Sequence, residues 1–200
     1  NSVAVNNLSG AGSVVNGGSG TATLELGAGV ADVTVSGVTL DDGSGTLGIS
    51  KSGSGTVTIA ADVDGSGATG ATTTSGGRFK LEGSVGGTLT VSDGATLGGE
   101  GTAGGNLIFG STGSTLMVDA SDSNTTFNTL GDLDLSNGTH TVVLEIPPAP
   151  GITTFRILKY EGSLLNGDET NFVLQNAGNY RGVTFEHDAA NKAITLNVQN

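Results

Sequence analysis

From Phe79 onward, short apolar alternations (Phe79/Leu81, Leu89/Val91, Leu107/Phe109 and Leu116/Val118) recur between corners rich in Gly, Ser and Asp. Alternation with a period of two is the signature of a strand with one buried face. Leu89 and Leu107 are 18 residues apart and Leu97 and Leu116 are 19 apart, so one strand-and-corner unit is laid over itself. Such a period predicts a stack of coils instead of a globule. The stretch Gly76 to Val118 carries the pattern most regularly.

A second self-similarity lies upstream. The run Gly10-x-Gly12-x-Val14-x-Asn16-x-Gly18-x-Gly20-Thr21-Ala22-Thr23-Leu24 aligns with Gly45-x-Leu47-x-Ile49-x-Lys51-x-Gly53-x-Gly55-Thr56-Val57-Thr58-Ile59 at a constant offset of 35. That offset is read as two coils of about eighteen residues. Six or seven coils at about 4.8 Å each then make a rod of roughly 30 Å. The expected inward set is Val14, Leu24, Val33/Val35, Leu47/Ile49, Val57/Ile59, Leu81, Leu89/Val91 and Leu107/Phe109, with Thr21, Thr56, Thr88 and Thr90 outward.

The pattern changes near residue 120, where glycine thins out and the strands lengthen. THTVVLEI at 139–146, TTFRILKY at 153–160 and NFVLQN at 171–176 are predicted strands. RGVTFEH and KAITLNV, joined at Asp188-Ala189-Ala190-Asn191, are predicted to form a hairpin, with Val183/Phe185 facing Ile194/Leu196/Val198. Pro147-Pro148-Ala149-Pro150 cannot lie in a central ladder and marks a crossing. A stack needs an atypical, well-filled terminal unit to close its edge. The expected organisation is therefore 1–135 as coils and 136–200 as a C-terminal cap built on Phe155, Ile157, Tyr160, Phe172, Leu174, Val183, Phe185, Ile194, Leu196 and Val198. No comparable cap is legible at Asn1, which suggests a piece of a longer protein.

Composition narrows the class further. Gly is 36 of 200 residues, aromatics are 4%, and Trp and Cys are absent. Helices would carry a penalty of roughly 1 kcal/mol per interior Gly, and a β-sandwich about 10 Å thick would need more filling than residues 1–78, which hold no aromatic residue. The fold is expected to be all-β, a slim parallel coil. The net charge of −12, with seven scattered basic residues and none before Lys51, disfavours nucleic acid and anionic membrane surfaces as partners. Without cysteine there is no disulfide or thiolate metal site.

The repeated G-x-G-x-[LIV]-x-[KN]-x-G-x-G-T-x-T-[LI] pattern at 10–24 and 45–59 resembles the passenger-associated transport repeat of bacterial autotransporters (type V secretion). The run SGGRFKLEGSVGGTLTVSDGATLGGEGTAGGNL at 75–107 is similar to the C-terminal part of their passenger domains, and the FRILKY strand with the closing VTFEHDAANKAITLNV hairpin is similar to their autochaperone cap. Two positions depart from the pattern: Asn16 stands for the usual Lys, and Leu47 for a Gly. The resemblance implies a right-handed parallel β-helix (solenoid) with a C-terminal β-hairpin cap, exported to the surface of a Gram-negative bacterium. It implies an outer-membrane β-barrel translocator after residue 200 as partner, and a role as membrane-proximal stalk and folding seed of an adhesin-type protein. Host surface molecules or identical neighbouring passengers would be further partners. The alternative is the stalk of a secreted enzyme whose catalytic head lies upstream.

No cofactor and no catalytic or metal-binding residue is expected within the chain. Asp41-Asp42, Asp62-x-Asp64, Asp119-x-x-Asp122 and Asp132-x-Asp134 offer oxygen ligands for a hard cation, yet Asp62-x-Asp64-Gly lacks the Glu that closes an EF-hand loop, and the carboxylates read as solvated corners. Residues 1–120 hold three basic residues and two aromatics, too few for the carboxylate and cation sets of glycan-cleaving enzymes. His140 and His187 lie in the cap without a Gly-x-Ser-x-Gly elbow and read as outward strand residues. The N-x-[ST] triplets at Asn7, Asn124 and Asn137 carry no assignment in so Ser/Thr-rich a chain.

Overall fold

Branched residues alternating with Thr, Ser and Gly leave no helical face to bury, and the chain instead takes short strands that turn at nearly every corner. A computed structural model describes residues 1–121, 126–148 and 153–199. Apart from two single 3-10 turns at Glu169–Asn171 and Ala177–Asn179, its regular elements are strands. They stack into three sheets, one per side of the coil.

The first side runs through Ser2–Val5, Ala22–Leu26, Leu47–Lys51, Thr72–Thr74, Leu89–Val91, Leu107–Phe109, Leu133–Asp134 and Leu164–Leu165. The second runs from Leu8–Val15 through Val33–Asp41, Thr56–Ile59, Arg78–Leu81, Thr96–Gly98, Thr115–Asp119 and His140–Ile146 to Phe172–Leu174. The third opens at Ser84–Val85 and continues through Thr102–Ala103, Phe127–Thr129 and Thr154–Tyr160. In the earliest coils long strands serve two sides. Val33–Asp41 pairs with Thr56–Ile59 through its first half and with Asp64–Gly67 through its second, and it bends at Gly37, whose left-handed φ of 68° suits a residue without a side chain.

Every ladder of the coils is parallel, the arrangement that buries a strand's inner face between identical neighbours. The expected 18- and 19-residue steps are real ladder partners: Leu89 pairs with Leu107 and Leu97 with Leu116. Elsewhere the step is longer. It is 25 residues from Ala22 to Leu47, 26 from Leu107 to Leu133, and 31 from Leu133 to Leu164, because corners outside 72–119 carry extra residues.

The 35-residue offset is not two coils. Val14 lies on the second side and Ile49 on the first, whereas Leu24 lies on the first and Ile59 on the second. The repeat records one local unit, strand then corner then strand, used at two different corners of the coil.

One apolar column runs the length of the stack. It joins Leu24 and Val35 to Val57, Phe79, Leu97, Leu116, Val142 and finally Leu196 and Val198. Of the expected inward residues all are buried except Val14, which is partly exposed near the N-terminal end. Each buried Val, Leu or Ile contributes roughly 1.5–3 kcal/mol, so a coil is held by the few side chains it sends inward. Thr72 and Thr74 also point inward, and both are buried.

The parallel ladders continue beyond residue 135 to Leu164–Leu165 and Phe172–Leu174. The chain then reverses. Ala193–Gln199 pairs antiparallel with Thr154–Tyr160, and Gly182–Asp188 pairs antiparallel with Ala193–Gln199. The expected hairpin forms, and its register sets Val183 opposite Val198, Phe185 opposite Leu196 and His187 opposite Ile194. Its corner is tied by Asp188, whose carboxylate accepts from the Asn191 backbone N–H (3.0 Å) and side-chain amide (2.7 Å). Pro147 and Pro148 follow Ile146 at the corner between the second and third sides; Pro150, Asp122 and Asn124 lie outside the described residues.

Candidate functional site

The residues that close the stack converge at its C-terminal end. Phe155, Ile157, Tyr160, Phe172, Leu174, Ile194, Leu196 and Val198 are buried, while Val183 and Phe185 pack against them partly exposed. They come from four separate strands, and the outermost hairpin strand is stitched to the coils by rings: Phe185 lies 5.8 Å from Phe172. The Tyr160 hydroxyl shares a hydrogen bond with His187 Nε2, so the polar tip of a buried ring is satisfied within the cap.

His140 is not an outward residue. It is fully buried, inward on its strand, with Phe109 4.9 Å away on one side and Phe172 5.8 Å away on the other. Its Nε2 lies 3.0 Å from the Leu135 carbonyl and its Nδ1 lies 3.4 Å from the Ser114 backbone nitrogen. A carbonyl only accepts and an N–H only donates, so these partners fix the neutral tautomer with its proton on Nε2. Burial lowers its pKa from the ordinary value, outweighing the opposing effects of the Leu135 carbonyl and Asp93.

Lys51, one of the scattered bases, is also fully buried. Its Nζ donates to the carbonyls of Ser52 (2.7 Å), Gly53 (2.8 Å) and, one coil on, Gly76 (2.9 Å). Burial lowers its pKa, and Asp32 partly offsets this. Asn16, the aligned residue in the other copy of the motif, donates from Nδ2 to Gly20 (2.6 Å) and to Thr46 of the next coil (2.9 Å). The Lys/Asn position therefore ties its own corner to the one stacked on it, and the departure from Lys at residue 16 preserves that role.

The acidic corners do similar work. Asp42 accepts from the Leu47 N–H (2.7 Å), from the Thr69 N–H (3.0 Å) and from the Thr69 hydroxyl. Asp132 accepts from the Ser163 N–H at 2.7 Å, and Asp134 from the Asn166 amide at 3.0 Å. Asp64 accepts from Ser66 and Ser84, and Asp41 and Asp119 cap their own turns. Asp42, Asp132 and Asp134 thus tie one coil to the next, while Asp41, Asp62 and Asp64 remain exposed at their corners. Among the described residues no group of three or more His, Asp or Glu converges to hold a metal ion.

The sequence reading missed one charged constellation on the outer second side. Lys80, Glu82, Gly99, Glu100, Asp119, Glu145 and Ile146 line a cleft of about 180 Å³. Beside it Arg78 donates from both terminal guanidinium nitrogens to Glu145, at 2.7 and 2.5 Å, and Lys80 pairs with Glu82 at 2.9 Å. Arg78 crosses the face of Gly98, where a Cβ would sit 3.0 Å from the guanidinium. The Arg78 hydrogen bonds hold the Glu145 carboxyl below its ordinary pKa, which suits an ion pair and not a proton donor. The residues come from several coils, so the only clue in the sequence was the outward alternation Arg78-x-Lys80-x-Glu82.

The features that distinguish this molecule are thus its stacked corners and its closed end. No family model, curated protein or solved structure matches the chain.

Proposed function

We propose that this chain is the stalk and folding seed at the membrane-proximal end of an autotransporter-type passenger, most simply of an adhesin-type protein on the surface of a Gram-negative bacterium. Its partner would be the outer-membrane β-barrel that exports it, with host surface molecules or identical neighbouring rods as contacts along its length. The closure of the C-terminal end carries this proposal. At the C-terminal end the apolar column is sealed by an antiparallel hairpin. At the N-terminal end Val3 and Val15 are exposed, and Val3, Val5, Leu8, Val14 and Leu24 line an open apolar cleft of about 340 Å³.

The glycines support the same polarity. A side chain at Gly45, Gly53 or Gly55 would collide with carbonyls of the preceding coil, whereas at Gly12, Gly17, Gly20 and Gly29 it would meet open space. The close approach of one coil to the next thus depends on glycine at these later corners. A closed end from which coils are added toward an open one suits a chain whose C-terminal part emerges first and templates the rest, since each added coil finds an existing edge. The −12 charge keeps such a rod soluble.

The test places the chain ahead of an outer-membrane translocator barrel in a Gram-negative host, with and without residues 182–199. Surface display, read by protease accessibility on intact cells, should fall markedly without the hairpin. Equal display of both forms would contradict the proposal.

A further inference from the structure

The imidazole of His140 occupies the junction between the regular coils and the closed end. Its strand, His140–Ile146, pairs with Thr115–Asp119 on the coil side and with Phe172–Leu174 on the cap side, where His140 is the ladder partner of Phe172. The ring is sandwiched between Phe109 and Phe172, and Phe172 in turn touches Phe185 of the hairpin. Both nitrogens are committed, Nε2 to the Leu135 carbonyl and Nδ1 to the Ser114 N–H.

The surroundings give an added proton nowhere to go. A proton on Nδ1 would point at the Ser114 N–H, a donor that cannot accept it. The Ser114 hydroxyl is turned toward the Val91 and Ser92 carbonyls, at 3.1 and 3.3 Å. Asp93, on the corner after Leu89–Val91, is the charged group facing the ring, and one oxygen of its carboxylate accepts from the Thr112 N–H at 2.9 Å. Among the described residues, Phe109 from the coil side, Phe172 from the cap side and the Leu135 carbonyl also contact the ring, and none of these groups titrates. A charged imidazolium without a new acceptor is therefore expelled, and it can leave only if the Phe172 layer lifts.

We propose that His140 is an acid-sensitive latch: neutral, it locks the C-terminal closure onto the coils, and protonated, it releases the Phe172–Leu174 layer and the hairpin over it. The consequence is a closure that is firm at neutral pH and loosens in mildly acidic surroundings, before the carboxylate ties are titrated. The latch belongs to the closure itself and operates whether or not the chain is exported, so its failure would leave the export proposal standing.

The sign follows from linkage. His140 binds its proton less readily folded than unfolded, so its contribution is complete above the ordinary histidine value near 6.5 and is lost as pH falls below it. The folded-to-unfolded ratio then drops by up to about tenfold per pH unit. The test is thermal and urea unfolding of the full chain between pH 7.5 and 5.5, a window above the carboxylate range, together with the proton resonances of the two histidines. The wild type should lose about tenfold in folding constant between pH 7.5 and 5.5, while His140→Phe, though less stable throughout, should lack that step. The wild-type His140 resonance should not titrate while the closure remains protected. The same slope in His140→Phe would overturn the latch. Where that variant does not fold, titration of His140 near 6.5 in the fully folded wild type would overturn it as well, and its failure to titrate would support it.

Discussion

At the scale of single residues, the molecule is held by side chains that reach from one coil to the next. Lys51 is the strongest case, because three carbonyls depend on one buried ammonium. Lys51→Met keeps the length and removes the donors, and it should cost about 2–4 kcal/mol in urea unfolding. A cost near zero would mean that the carbonyls find other partners. Gly98 is a different kind of dependence, since Arg78 lies across it to reach Glu145. Glu145→Gln alone should cost about 0.5–1 kcal/mol for a partly exposed pair. After Gly98→Val, which unseats Arg78, the same change should cost almost nothing further, a coupling that a double-mutant cycle measures directly. The carboxylate ties add a pH dependence. Hydrogen bonds hold Asp64, Asp93 and Asp188 below their ordinary pKa, so they bind protons more readily unfolded than folded. Their contribution is complete above about pH 4–5 and is lost as pH falls through their lowered values. An acid titration followed by circular dichroism should show a decline there, separate from the step that His140 contributes at higher pH.

At the scale of elements, the strands and the hairpin were legible because their signal is local. Alternation at Leu89/Val91 and Leu107/Phe109 specifies which face is buried, and the Asp188 to Asn191 corner specifies where the hairpin turns. The 35-residue repeat misled for a related reason: similarity over one strand, corner and strand says nothing about which two sides of the coil they occupy. Lys51 and His140 were not legible. Both read as polar positions on strands, and only the stacking of coils separated by 25 or more residues turns them inward. The charged cleft was hidden likewise, its members being assembled from several coils. Deleting 182–199 tests the element that closes the stack. It uncovers Phe155, Leu158 and Phe172, each buried in the intact chain, and the shortened chain should refold from urea incompletely and aggregate. Reversible refolding with an unchanged midpoint would show that the hairpin is dispensable.

At the scale of the whole molecule, a stack in which each coil's ladders join only the adjacent coils has no single stability; its ends can differ. The C-terminal end combines long ladders, clustered aromatic rings and an antiparallel closure, whereas the first coil leaves its apolar residues partly open. A folding seed requires that order of stability, with the closed end forming first and the open end last. Native-state hydrogen exchange resolves it segment by segment. Amides of 154–160, 172–174 and 193–199 should exchange only with global unfolding at pH 7, and those of 2–15 should exchange through partial opening at least about a hundredfold faster, a gap of about 2.7 kcal/mol. Equal protection at both ends, or slower exchange at residues 2–15, would contradict it.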